Sequence, residues 1–375
     1  MKEAVYTKEE LKNICAKFAV RGELESIEPI KTGHINDTMC VTFKRDDGTR
    51  KSYTLQSINT YVFKKPEVVM NNIMAVTDYL CDQYHAEGLH ASRHVLKFYK
   101  TVDGQNFYRD EKGRCWRVYL FVGDASTYNN VSDPVLLYNA GKAFGEFQKR
   151  LSNFPMDKLE ETIPNFHNTP DRYRQLKEAI AENASGRADS VKDEINFFLE
   201  REEMAATLYN LQKEGKLPLR VTHNDTKYNN VLIDNKTHEA ICVIDLDTIM
   251  PGLSVHDFGD AIRFATATAA EDEKDLSKVH MDINSFDAFT KGFIGTAKGF
   301  FTQTELDNMV MGAKLMTLEC AVRFLTDYIN GDVYFSVDRE GHNLDRARTQ
   351  IKLVSEMESH WDELLRINRE EAELE

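Results

Sequence analysis

The sequence predicts an α+β protein of two unequal lobes, and three observations predict it. Strand-like apolar segments crowd into residues 1–122, helical periodicity dominates residues 123–375, and short apolar runs between Val221 and Ile244, read as a strand–loop–strand catalytic hairpin, interrupt the helices. At 375 residues the chain also exceeds what one hydrophobic core usually serves, so the two spans are read as an N-lobe and a C-lobe.

The N-lobe opens on a helix. Thr7-x-x-Glu10 is a capping box, in which a hydroxyl and a carboxylate satisfy each other's backbone amides. Leu11, Ile14, Cys15 and Phe18 give that helix an apolar face ending before Gly22. Strands follow at Leu24–Ile30, Thr38–Phe43 and Arg50–Leu55, the last two joined by a turn at Asp46-Asp47-Gly48. Pro66, whose missing amide is no loss in a first helical turn, opens a helix with Val69, Met70, Ile73, Val76 and Leu80 on one face. Strands at His94–Tyr99 and Cys115–Phe121 complete a set of five antiparallel strands around one inserted helix. C-lobe helices are expected near 133–151, 171–183, 190–213, 284–297, 303–330 and 344–368, the fifth capped by Thr302-x-x-Glu305. The lobes should join tightly through Phe121 to Asp124.

Net charge is −14, which disfavours nucleic acid or an anionic membrane as partner. No window approaches the roughly 18 apolar residues of a membrane span, and the first ten residues lack a signal-peptide core, so a cytoplasmic enzyme is expected. Cys15, Cys40, Cys81, Cys115, Cys242 and Cys320 lie in apolar segments without Cys-x-x-Cys spacing and read as buried, reduced thiols.

The most specific chemistry lies in His223-x-Asp225-x-Lys227-x-x-Asn230 and in Asp245, which ends the next apolar run. Phosphoryl transfer from ATP needs positioning and neutralised charge more than covalent help. A carboxylate must orient and deprotonate the attacking hydroxyl, a role for Asp225. Mg²⁺ prefers oxygen donors, which Asn230 and Asp245 supply. Lys227 offers a point charge to the transferred phosphate, and His223 is read as shaping the loop. Asp225 and Asn230 are spaced like the base and the metal-binding amide of a protein-kinase catalytic loop. A polar turn would explain one such residue but not the ordered set.

Familiar phosphate loops are missing: neither Gly-x-x-x-x-Gly-Lys-Ser/Thr nor Gly-x-Gly-x-x-Gly occurs. Gly33, between the first two strands, is the residue expected to let backbone approach the nucleotide phosphates. The third strand offers Lys51 and Gln56 as phosphate contacts, with Gln56 favoured by position. Phe121, at the lobe junction, is assigned to the nucleotide.

The segment from His223 to Asn230, followed by Asp245-Leu246-Asp247, resembles the aminoglycoside phosphotransferase and choline kinase superfamily. Within it, the chain is most similar to bacterial N-acetylhexosamine 1-kinases. The similar segments are Gly33-His34-Ile35-Asn36-Asp37-Thr38, Tyr53-x-Leu55-Gln56-x-Ile58-Asn59, the run from Asp245 through Asp257, Asp260 and Arg263, the pair Arg323 and Tyr334, and a run beginning at Asn343. The resemblance implies a bilobal protein-kinase-like fold and ATP- and Mg²⁺-dependent phosphorylation of the anomeric hydroxyl of N-acetylglucosamine or N-acetylgalactosamine. It also implies that Asp225 is the base, that Asn230 and Asp245 hold Mg²⁺, and that His34, Asp225, Arg323 and Tyr334 bind the sugar.

Other readings stay open. Arg323 has Glu319 four residues before it and Asp327 four after it, so a helix-surface ion-pair ladder would account for it. Tyr334 could be an ordinary core aromatic. Asp257 and Asp260 read as a helix start that braces the catalytic loop. The acceptor could instead be choline, homoserine, an aminoglycoside or another hexose, and a cation would need clustered acids or an aromatic cage. A kinase-fold binding module without turnover is the reading from a different class, and it expects losses among Asp225, Asn230 and Asp245.

Overall fold

The computed structural model describes residues 6–30, 36–128 and 133–373. Helix α1 (Lys8–Cys15) precedes strands β1 (Glu23–Pro29), β2 (Asp37–Lys44) and β3 (Arg50–Ile58). Helix α2 (Pro66–Ala86) follows, then strands β4 (Phe98–Tyr99), β5 (Tyr108–Arg109), β6 (Cys115–Leu120) and β7 (Ala125–Ser126). The antiparallel sheet runs β1-β2-β3-β6-β4, and β5 also pairs with β6. It has six strands rather than five. Tyr108–Arg109 is too short to register as a pattern, and only the last two residues of the expected His94–Tyr99 strand are extended.

Both capping boxes form. Thr7 Oγ1 accepts from the Glu10 amide at 3.2 Å and Glu10 accepts from the Thr7 amide at 2.7 Å. Val41, Tyr53, Leu55, Trp116 and Val118 of the sheet pack against Leu11, Ile14 and Phe18. A second core joins α2, through Val69, Met70, Ile73, Val76 and Leu80, to Val221, Cys242, Leu246 and Ile249. Fully burying such a side chain is worth about 1.5–3 kcal/mol, so α2 fastens the sheet to the helical region.

The remaining elements are α3 (Pro134–Arg150), α4 (Thr169–Glu182), α5 (Lys192–Leu199), α6 (Glu202–Ala205), α7 (Thr207–Lys213), β8 (Arg220–Thr222), β9 (Val231–Asp234), β10 (Ala240–Val243) and β11 (Met250–Gly252). After these come α8 (Ser254–Ala265), α9 (Ile283–Thr296), α10 (Gln303–Asp307), α11 (Met309–Ile329), α12 (His342–Ser359) and α13 (Trp361–Glu373). Three expected long helices break: 190–213 becomes α5 to α7, 303–330 breaks at Asn308, and 344–368 breaks at His360. The expected strand–loop–strand unit also differs. β8 pairs with β11, whereas β9 pairs with β10 and β7, so the polar loop runs between two small sheets.

Glu305 of the second capping box does more than close a helix. It also takes Arg220 at 2.7 Å and the Ser254 hydroxyl at 2.6 Å, tying α10 to β8 and α8. Helices α8 and α11 meet through glycines: a Cβ on Gly259 would stand 2.3 Å from the Gly312 carbonyl oxygen, and one on Gly312 2.2 Å from that of Val255. Only residues without a Cβ allow this approach, which sets the helix bearing Asp257 and Asp260 against the helix bearing Arg323.

No helix among the described residues is long and apolar enough to cross a membrane. The six cysteines are free thiols; Cys15, Cys115 and Cys242 are buried, while Cys40, Cys81 and Cys320 are only partly covered, fewer than the sequence suggests.

Candidate active site

The loop from His223 to Asn230 is held by its surroundings before it does any chemistry. His223 Nε2 lies 2.8 Å from the Ile244 carbonyl oxygen, which can only accept, so Nε2 carries the hydrogen. Nδ1 then accepts the Asp225 amide at 3.2 Å, and one neutral tautomer pins that backbone to the end of β10. Asp257, in the first turn of α8, accepts the amides of His223 and Asn224 at 2.8 and 2.7 Å and the Gln148 side chain at 2.5 Å. Asp260, one turn on, accepts the Thr226 amide at 3.2 Å. Asn224 (φ 61°) and Asp245 (φ 59°) take the left-handed backbone that Asn and Asp tolerate better than most side chains.

Around Asp225 the loop gathers charge. Lys227 Nζ stands 3.1 Å from Asp225 Oδ1, and Asn230 Nδ2 donates to the Asp225 carbonyl at 2.8 Å and to its carboxylate at 3.1 Å. Burial raises the Asp225 carboxyl, but Lys227 and these bonds outweigh it and hold the group below the usual carboxylate range. Burial likewise lowers Lys227, and Asp225 and Asp260 more than restore it. Its ammonium also lies 5.2 Å from the centre of the Phe264 ring. Near neutrality the pair is therefore ionised.

Asp245 is the opposite case. Burial first, then the charges of Asp247 and Asp225, push its carboxyl up to about 6. Asn230 spends its amide nitrogen on Asp225, which leaves its amide oxygen for a cation. A carboxylate pressed by neighbouring negative charge, together with an amide oxygen, is a donor set that a hard divalent cation would relieve. Among the described residues no group of three or more His, Cys, Asp or Glu forms a closed metal cage. An open set suits a cation that keeps water and phosphate oxygens as further ligands.

On the sheet side, sequence reasoning missed Arg117. It stands opposite Gln56 in the β3–β6 register and is 2% exposed. Its Nε and Nη2 donate to Gln56 Oε1 at 3.0 and 2.7 Å, and Nη1 donates to Asp247. Asn36 Nδ2 reaches the other Asp247 oxygen at 2.8 Å. Gln56 Nε2 donates to Thr38 at 2.9 Å, so Gln56 spends both ends of its amide inside the protein. A cation does stand on the neighbouring strand, but its guanidinium is spent on Gln56 and Asp247. Arg117 occupies a strand that reads as plain core, and only the register joins it to Gln56. Phe121 is 38% exposed, with its amide bonded to the Ser52 carbonyl at 3.2 Å. Gly33 and His34 lie outside the described residues.

Arg323, on α11, does not build the ion-pair ladder. Glu319 is taken by His167 Nδ1 at 3.0 Å and the Thr169 hydroxyl at 2.7 Å. Asp327 accepts the amides of Val333, Tyr334 and Phe335 at 2.8–3.0 Å. Among the described residues Arg323 instead faces rings, at 5.7 Å from Phe166, 6.0 Å from Tyr334 and 5.4 Å from Phe335. Tyr334 is 57% exposed, which removes the core-aromatic reading. Cys320, one turn earlier on α11, is pushed up chiefly by burial, and Arg263 pairs with Asp260 at 3.1 Å beneath the loop.

A family model described as the phosphotransferase enzyme family, APH, matches residues 27–278. The chain belongs to that family. Solved structures similar to it include an aminoglycoside phosphotransferase from Alicyclobacillus acidocaldarius subsp. acidocaldarius DSM 446, 11% identical with a TM-score of 0.63 over 100% of this chain and 98% of that one. Another is the amicoumacin kinase hAmiN in complex with AMP-PNP, Ca²⁺ and Ami, 13% identical with a TM-score of 0.57 over 92% and 93%. A third is choline kinase from Cryptosporidium parvum Iowa II, 13% identical with a TM-score of 0.56 over 96% and 98%. At these identities the likeness is one of fold, and it agrees with the kinase-like α+β architecture expected from the sequence.

Proposed function

We propose that the protein is an ATP-dependent small-molecule kinase that phosphorylates the anomeric hydroxyl of N-acetylhexosamines and releases the sugar 1-phosphate. Residues 1–122, with Gly33 and Phe121, serve the nucleotide, while Gln56, its amide spent on Arg117 and Thr38, is withdrawn from the phosphates; residues 123–375 carry the reacting groups and most of the sugar site. Asp225 takes the proton of the acceptor hydroxyl while that oxygen bonds to the γ-phosphorus and the bond to the bridging oxygen of ADP breaks. Lys227 balances charge on the transferred phosphoryl group. Asn230 and Asp245 are the residues that would hold Mg²⁺, which when bound neutralises the β- and γ-phosphates. His34, Arg323 and Tyr334 grip the sugar.

The observation that carries the acceptor reading is Arg323, a guanidinium without a carboxylate partner among the described residues, beside the exposed Tyr334. A guanidinium donates to hydroxyl and amide oxygens and an aromatic ring packs on a pyranose face. The same guanidinium repels the cationic head of choline or an aminoglycoside. The ionised Asp225–Lys227 pair, with Asn230 and Asp245 intact, speaks against a module without turnover. Choice of the anomeric oxygen rests on the family resemblance. Phosphorus NMR of a reaction containing ATP, Mg²⁺ and N-acetylglucosamine or N-acetylgalactosamine tests it. A phosphate coupled to the anomeric proton is expected; a 6-phosphate, or no sugar phosphate, would overturn the reading.

A further inference from the structure

Arg323 has a companion. Arg172, in the first turn of α4, donates from Nη2 to the Phe166 carbonyl at 2.8 Å, while the ring of that same Phe166 lies under Arg323. The two guanidinium groups thus share one residue as their floor. Among the described residues neither makes an ion pair, although the chain carries a net charge of −14 and most of its other buried or part-buried arginines hold a carboxylate. The charge of Glu319 is felt by Arg172, but its oxygens are hydrogen-bonded to His167 and Thr169. Two nitrogens here are buried without a hydrogen-bond partner, Arg172 Nε and His167 Nε2, and the His167 side chain is only 10% exposed. Burial first and then Arg323 lower the pKa of Arg172, the expected result of placing like charges together. Glu319 and Asp171 offset part of this repulsion, and electron-rich oxygen supplied by a ligand would offset more.

We propose that Arg172 and Arg323 form a paired guanidinium subsite for a carbonyl or carboxylate oxygen on the acceptor, and that this subsite selects acyl-bearing or acidic sugars over cationic ones. The inference rests on the sugar-kinase reading above and adds Arg172 as a specificity-determining residue. A planar oxygen group can take two N–H donors from two directions, whereas an ammonium at the same carbon meets two positive charges.

The test compares kcat/KM for N-acetylglucosamine, glucosamine, glucose and glucuronate at pH 7 in the parent protein, Arg172→Gln and Arg172→Lys, with the KM for ATP and the melting temperature measured alongside. The parent should prefer an acyl or carboxylate sugar to glucosamine by about a hundredfold. Arg172→Gln should shrink that preference about tenfold to a hundredfold, the size of one bond to a charged group, with little change in the KM for ATP. Arg172→Lys, which keeps charge but not the planar fork, should fall between. Preference for N-acetylglucosamine identifies the carbonyl as the group bound, and preference for glucuronate identifies the carboxylate. Equal losses for all four acceptors, or an unchanged preference in Arg172→Gln, would overturn the subsite while leaving the kinase assignment standing. A parent protein inactive on every sugar would remove the assignment itself.

Discussion

Asp245→Asn should separate stability from activity. Burial and two neighbouring carboxylates move the Asp245 carboxyl from 3.8 to about 6. At 1.36 kcal/mol per pKa unit, that difference makes the ionised carboxylate cost the folded, metal-free protein about 3 kcal/mol at most. The sign follows from linkage: the folded state binds this proton more tightly than the unfolded state. The penalty is therefore absent below about pH 4, grows between pH 4 and 6, and is complete above that. Asn keeps the volume and tolerates the left-handed backbone at this position. Metal-free Asp245→Asn should accordingly melt higher than the parent by about 1–3 kcal/mol at pH 7.5, a rise of a few degrees in Tm. The gap should close as the pH approaches 4. Mg²⁺ with ATP should stabilise the parent far more than the variant, which should have lost turnover. If metal-free Asp245→Asn is instead less stable at pH 7.5, its neighbours already satisfy the carboxylate, and the argument for a cation at this point collapses.

Two other substitutions probe the loop. Asp225→Asn should retain nucleotide binding by calorimetry yet lose about 10²-fold or more in kcat, the usual size for a positioned base; activity within a few-fold of the parent would remove Asp225 from that role. Asp257→Asn cannot accept both the His223 and Asn224 amides, so it should cost about 1–3 kcal/mol in denaturant unfolding. It should also depress kcat with little change in the KM for ATP, whereas unchanged unfolding would mean the loop is braced elsewhere.

The candidate site was legible where its chemistry is contiguous. His223 through Asn230 and Asp245 are close in sequence, and their residue types leave few roles. Asp257 and Asp260 were legible as braces, and both turn to the loop, but neither caps the helix, which starts at Ser254 without a side-chain cap. Arg117 was not legible, since its importance depends on standing opposite Gln56 across two strands some sixty residues apart. Arg172 was hidden for a related reason: it meets Arg323 only after α4 and α11 pack. Helix breaks at Asn308 and His360 leave the apolar pattern running on, so periodicity joined what the backbone divides. The destination of Val221 was lost because two residues of β-forming character do not say which partner a strand will take.

The seam at Asp247 bears on how the molecule moves and melts. Asn36 and Arg117 reach it from the sheet side, and close by Asn72 of α2 donates to the Ile249 carbonyl at 2.8 Å. Parting these groups would strand a buried cation and a buried carboxylate, a penalty of several kcal/mol per ion in real proteins. Any relative movement of the sheet and the helices should therefore pivot about this line rather than part it. The sheet and the helices should accordingly lose their structure together, in one cooperative transition.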